Sequence, residues 1–178
     1  MRFVAFLLLL TAIAGCTDVQ GIDRKPAIES LFEKPKPAAM TTMIAFQYLN
    51  YGEQTHRAEL KQLTGVDPVR TEWCAAFVNA VLRDSNTPGS ESVSDYPLLA
   101  RSFLDWGEKV TGEPQPGDII VFPRGGSQWQ GHVGFYFGTV NVGDITYYKI
   151  LGGNQNNKVN VELYPAYKAL GIRRESPI

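Results

Sequence analysis

Histidine and cysteine are scarce in this chain, with two of each among 178 residues. Neither type recurs at metal-ligand spacing, so the usual zinc arrangements are not expected, and no motif suggests another cofactor. Charge of one sign is lacking too. The 17 basic and 18 acidic residues leave no basic surface of the kind that binds nucleic acid. No apolar run reaches the roughly 20 residues needed to span a bilayer, and no internal repeat is present. What remains, 44% hydrophobic and 20% charged, has the composition of a globular domain. The length favours a single one, expected to act as a monomer.

The N-terminus departs from this average. Met1 and Arg2 form a minimal positive region, and residues 3–14 are almost entirely apolar. That run is too short for a membrane span and ends in small residues, as signal peptides do. The stretch Ile13-Ala14-Gly15-Cys16 resembles the lipobox of bacterial lipoproteins. The resemblance implies cleavage before Cys16 and lipid attachment to its thiol; a plain secretory signal with a chance cysteine is the alternative. Thr17 is similar to the residue found there in outer-membrane lipoproteins. The expected location is therefore outside the cytoplasm, lipid-anchored to a bacterial membrane at the periplasmic face of the outer membrane. Residues 1–15 would be the signal peptide, and residues 16–39, with Pro26, Pro35, Pro37 and alternating charges, a flexible tether. Roughly 24 extended residues reach at most about 80 Å. With Cys16 lipidated, Cys74 is left as a lone thiol in an oxidising compartment, unable to form an internal disulfide.

Residues 40–178 then form the folded domain. Met43, Ile44, Phe46 and Leu49 mark one face of a first helix, closing at Gly52. A second runs from His56 to Leu63 with Gly65 as terminator, and Asp67-Pro68 breaks the chain. A third follows Thr71, where Cys74, Val78 and Leu82 recur at i, i+4, i+8 beside Trp73, Phe77 and Val81. A short fourth is expected from Tyr96 to Trp106, with Asp95 as N-cap and Pro97 in its first turn. The period then changes. Apolar runs at 119–122, 132–140, 145–151 and 159–163, separated by turn residues, read as an antiparallel meander, with 172–174 as a short final strand. Helices first and sheet second predict an α+β domain.

A thiol is a useful nucleophile as thiolate. If Thr71 caps the third helix, Cys74 lies in the first turn, where free N–H groups and the helix dipole favour negative charge. The same pattern suits a small buried core residue. Of the two histidines, His56 sits in a polar stretch beside Arg57 and Glu59, as a solvated surface residue would. His132 opens an apolar strand after a glycine and can project into a cleft as a base for Cys74, or serve only a structural hydrogen bond. A third residue would orient the imidazole through its other nitrogen. Asn154, after the paired glycines Gly152 and Gly153, is the first candidate; Asn156 and Asn157 compete with it, and an ordinary Gly-Asn turn is the simpler local explanation.

Three segments taken in order carry a resemblance. Glu72-Trp73-Cys74-Ala75-Ala76-Phe77 at a helix start, Pro116-Gly117-Asp118-Ile119-Ile120-Val121-Phe122, and Gly131-His132-Val133-Gly134-Phe135 resemble the nucleophile and base segments of CHAP-type cell-wall amidases. The order cysteine on a helix, histidine on the second strand and polar residue on the next is shared with the NlpC-type cell-wall peptidases. The resemblance spans roughly residues 40–174. It implies a papain-like fold, N-terminal helices packed on an antiparallel sheet of about four to six strands, with Cys74, His132 and Asn154 as catalytic triad. It further implies a peptidoglycan amidase or endopeptidase acting by acyl transfer, with His132 holding Cys74 as thiolate. Trp73, Trp129 and Tyr136 would then contact substrate at the cleft rim, although Trp73 equally suits the core. The sequence departs from the family in having no acid on the strand before Asn154. A non-catalytic lipoprotein module that binds cell wall or a protein partner, or a cysteine acyltransferase, is the alternative.

Overall fold

The computed structural model describes residues 37–176. The expected signal peptide, Cys16 and the expected tether as far as residue 36 lie outside the described residues. The first helix, α1 (Pro37–Gln47), begins inside the stretch read as tether, because proline is compatible with the first turn of a helix. Its buried side is Thr41, Thr42 and Ala45, while Met43 is exposed. Helix α2 (Arg57–Thr64) is closed by Gly65 at φ 75°, whose N–H bonds to the Lys61 carbonyl.

Helix α3 (Cys74–Asp84) buries Cys74, Ala75, Ala76, Phe77, Val78, Ala80, Val81 and Leu82. Thr71 does not cap it. The N–H groups of Arg70 and Thr71 both return to the Asp67 carbonyl, so Thr71 belongs to the preceding turn. Trp73 occupies the N-cap position with no side-chain cap, and Cys74 is the first helical residue. The fourth helix expected from Tyr96 is only a 3-10 turn, Ala100–Leu104. The Pro97 carbonyl is taken by the side chains of Asn79 and Ser90 and is not available to a helical N–H.

Six strands follow: β1 (Glu108–Lys109), β2 (Ile119–Pro123), β3 (Gly131–Val142), β4 (Ile145–Gln155), β5 (Lys158–Pro165) and β6 (Gly171–Arg174). They form one sheet in the order β1-β6-β2-β3-β4-β5, with every pairing antiparallel. This is the α+β arrangement that the order of elements predicts. One face, with Ile119, Val121, Val133, Phe135 and Leu151, packs under α3 in the main core. The other carries Ile120, Phe122, Tyr136 and Ile150, packed with Tyr148 and Tyr164. Each large side chain fully buried in these layers contributes about 1.5–3 kcal/mol. Asp118, 1% exposed, receives Arg174 Nε and Nη2 at 2.7 Å each and the Gln115 N–H at 2.8 Å. It thereby ties the start of β2 to β6.

The sheet lies close against the start of α3 at Gly153. A Cβ there would lie 2.5 Å from the Trp73 ring and 2.7 Å from Phe77 Cβ, closer than side chains pack. The glycine lets β4 touch the start of α3. Gly153→Ala is expected to lower the unfolding free energy by about 1–3 kcal/mol, as overpacking does. Urea titration of the variant beside wild type measures this, and an unchanged midpoint would show that the contact yields freely.

Candidate active site

Cys74 stands where α3 starts, with its thiol at the bottom of a cleft and only 4% of the residue exposed. It is the free cysteine among the described residues. Burial is the largest influence on it and pushes the thiol up from its ordinary value. The N–H of Val133, the Arg124 guanidinium and the N–H of Ala75 pull it down, and the Glu72 carboxylate adds to the rise. The helix start acts on the sulfur as its position predicts, but desolvation outweighs it. The resting thiol is therefore neutral, where a standing thiolate was expected. The sulfur also faces the amide of the residue that follows His132.

His132, on β3, is 2% exposed. Its Nε2 lies 3.0 Å from Gln155 Oε1. The Gln155 amide is oriented by its own donors, because Nε2 bonds the Ile150 carbonyl at 3.1 Å and the Asn160 carbonyl and Oδ1 at 2.7 Å each. Oε1 must then be the acceptor, His132 Nε2 carries the proton, and Nδ1 is left with its lone pair. The Tyr164 ring stacks on the imidazole, centroids 5.2 Å apart and planes 13° from parallel, and on Phe122 behind it at 4.6 Å. Cys74 and Arg124 both act electrostatically on Tyr164. The thiol, the imidazole and this ring thus share one neighbourhood.

The side chain that meets His132 is Gln155, while Asn154 turns to Glu72, its Nδ2 donating to Oε2 at 2.6 Å. In a regular strand Asn154 would point to the same face as Gly152. Its backbone is instead left-handed, φ 56°, and the β4–β5 register shifts between Gly152 and Gln155. This bulge exchanges the faces of the two neighbours. Gly152 lies against this pair, since a Cβ there would sit tightly at 3.3 Å from Gln155 Oε1 and in ordinary contact at 3.5 Å from His132 Nε2. The signal for the bulge was present in the run Asn154, Asn156, Asn157, all three at positive φ, a region that asparagine tolerates better than most residues. Nothing in the sequence pointed to Tyr164.

The cleft over Cys74 is a cavity of about 400 Å³. Leu98, Leu99 and Trp129 form an apolar wall, and Glu72 and Arg124 a charged one, with Arg124 Nη1 3.2 Å from Glu72 Oε2. Arg101 Nε holds the Gln130 carbonyl at 2.8 Å, joining the loop after β2 to the 3-10 turn. Of the three aromatics expected at the rim, Trp129 is there, 62% exposed. Trp73 is not, being fully buried beside Phe77. Tyr136 is buried on the opposite face of the sheet with its hydroxyl on Thr139 Oγ1. Strand alternation sends it there, away from α3. His56 stacks on Tyr51 at 4.2 Å and bonds Thr55, a structural place far from polar isolation. Among the described residues no group of three or more His, Cys, Asp or Glu side chains could hold a metal ion.

Burial lowers His132 to about 4, against the Gln155 hydrogen bond, which raises it, and with Arg124 adding to the fall. The unfolded chain takes up this proton near 6.5, the folded one only near 4. Stability from this group is therefore complete above pH 6.5 and is lost as the pH falls through that window, by about 3 kcal/mol at 1.36 kcal/mol per unit. Urea unfolding measured from pH 7 to 4 should show this loss in wild type and its absence in His132→Gln. Parallel pH profiles for the two would refute it.

No curated protein matches the chain. A family does: the CHAP domain matches residues 66–154, from the turn before α3 to the bulge on β4, and so takes in Cys74 and His132 and stops one residue short of Gln155. CHAP domains are generally found in peptidoglycan hydrolases, both amidases and peptidases. With half of its length inside that match, and its helix-and-sheet order that of the resemblance, the chain belongs to the CHAP-domain family.

Proposed function

We propose that the protein is a peptidoglycan hydrolase that cleaves an amide bond in the peptide stems, with Cys74 as nucleophile, His132 as general base and Gln155 as the residue that orients the imidazole. The observation that carries this reading is the fixed tautomer of His132. With Nε2–H held by Gln155, Nδ1 keeps its lone pair for a proton, and Tyr164, which stacks on the ring, feels the Cys74 thiol.

The two groups rest neutral. As the substrate carbonyl enters, Cys74 loses its proton to His132 Nδ1 and the sulfur attacks the carbonyl carbon. Negative charge develops on the carbonyl oxygen at the start of α3. There the backbone N–H of Cys74 has no partner within the helix, and it supplies a stabilising donor. The imidazolium, steadied by Gln155 and stacked on Tyr164, gives its proton to the leaving amine. Water then attacks the thioester with His132 again as base, and the acid and free thiol are released.

Incubation with purified sacculi should release new amino termini with wild type and none with Cys74→Ala. Gln155→Ala should lower kcat about 100-fold, the scale of a misplaced catalytic group, and Asn154→Ala much less. Wild type that releases nothing, yet binds sacculi as Cys74→Ala does, would leave a binding module in place of an enzyme. Products joined to a second amine would make it an acyltransferase.

We propose in addition that Cys16 is lipidated and holds the domain at the periplasmic face of the outer membrane, close to this substrate. The lipobox-like Ile13-Ala14-Gly15-Cys16 supports it. Cys16→Ala is expected to move the protein from the membrane fraction to the soluble one; retention in the membrane fraction would count against the anchor.

A further inference from the structure

The ion pair at the mouth of the cleft leaves most of a guanidinium unused. Arg124 approaches Glu72 through Nη1 alone, and among the described residues it makes no other hydrogen bond or ion pair. A guanidinium presents five N–H donors in a planar fork that matches a carboxylate with two parallel bonds. Here that fork stands on the wall of the cavity whose floor is Cys74. Its charge is felt by Cys74, His132 and Tyr164 alike.

Its present partner is easily replaced. The Glu72 side chain is 76% exposed, and exposed ion pairs contribute little. Glu72 would not be stranded by the loss, because the same Oε2 accepts the Asn154 amide at 2.6 Å. The rest of the cleft offers a carboxylate no other positive charge, Gln130 being neutral. Leu98, Leu99 and Trp129 are apolar, and Glu72 would repel it.

We propose that Arg124 binds a carboxylate of the substrate close to the scissile amide, with Glu72 occupying that place until the substrate arrives. The inference rests on the hydrolase reading and narrows it. Stem peptides with a free carboxylate at this position are preferred to those in which it is a carboxamide.

Synthetic muropeptides in which each carboxyl in turn is amidated provide the test. At one position, amidation should raise KM for wild type about 10- to 100-fold, as the loss of a charge-assisted pair does. Arg124→Gln should raise KM for the free acid to the same level and close the gap, Arg124→Lys should recover part of it, and Glu72→Gln should lower KM for the free acid. Equal KM across the series, or an equal fall in kcat on acid and amide in Arg124→Gln, would overturn the assignment. Calorimetric binding of the same series to Cys74→Ala separates the two readings. A preference for the free acid without turnover by wild type would uphold the carboxylate site while removing the hydrolase; binding without preference would remove the site itself.

Discussion

An imidazole that is 2% exposed needs an acceptor for its ring N–H, since an unmet donor in such a place costs about 1–3 kcal/mol. The Gln155 carbonyl oxygen meets that need for His132, and much of the local architecture exists to put it there. The left-handed Asn154 turns the chain so that residue 155 faces the histidine. Gly152 leaves room for the two side chains to touch, and Gly153 lets the strand lie against Trp73 and Phe77. The NH2 end of the Gln155 amide is spent on Ile150 and Asn160, which fixes which end of the amide points at the ring. One buried hydrogen bond thus couples the β4–β5 hairpin, the start of β3 and the start of α3.

Desolvation sets the electrostatic character of the same place. It pushes the thiol up and the imidazole down, so both groups are neutral at rest, and charge belongs to the moment of reaction. Two features offset part of the cost of that charge. Backbone N–H groups of Ala75 and Val133 face the sulfur, and Arg124 stands across the cleft with only a single exposed carboxylate for company. The apolar shelf of Leu98, Leu99 and Trp129 keeps the remaining wall free of competing charge.

Much of the fold was legible in the chain. The turn clusters and the change of period marked the five longer strands, and Gly65 marked the end of α2. Where local patterns failed, a tertiary partner had intervened. Asn79 and Ser90 took the Pro97 carbonyl and with it the expected fourth helix. Thr71 closed the turn at Asp67 and did not cap α3. Two of the aromatics placed at the rim went elsewhere, because helix and strand periodicity point Trp73 into the core and Tyr136 to the far side of the sheet.

The sequence by itself determined the α+β order of elements, the helix that begins near Cys74 and the strand that begins near His132, since these follow from local period and turn chemistry. It also limited the choice of base, with only two histidines available. Which side chain holds the imidazole was decided by the tertiary structure. A strand alternates its faces with a period of two, and on that rule Asn154 belongs opposite His132. One residue at positive φ shifts the phase, and whether the backbone accepts that cost depends on the packing of β4 against α3. The tyrosine stacked on His132 comes from β5, a strand that meets the active site only through the pairing of the whole sheet. No pattern within a single segment encodes such a contact.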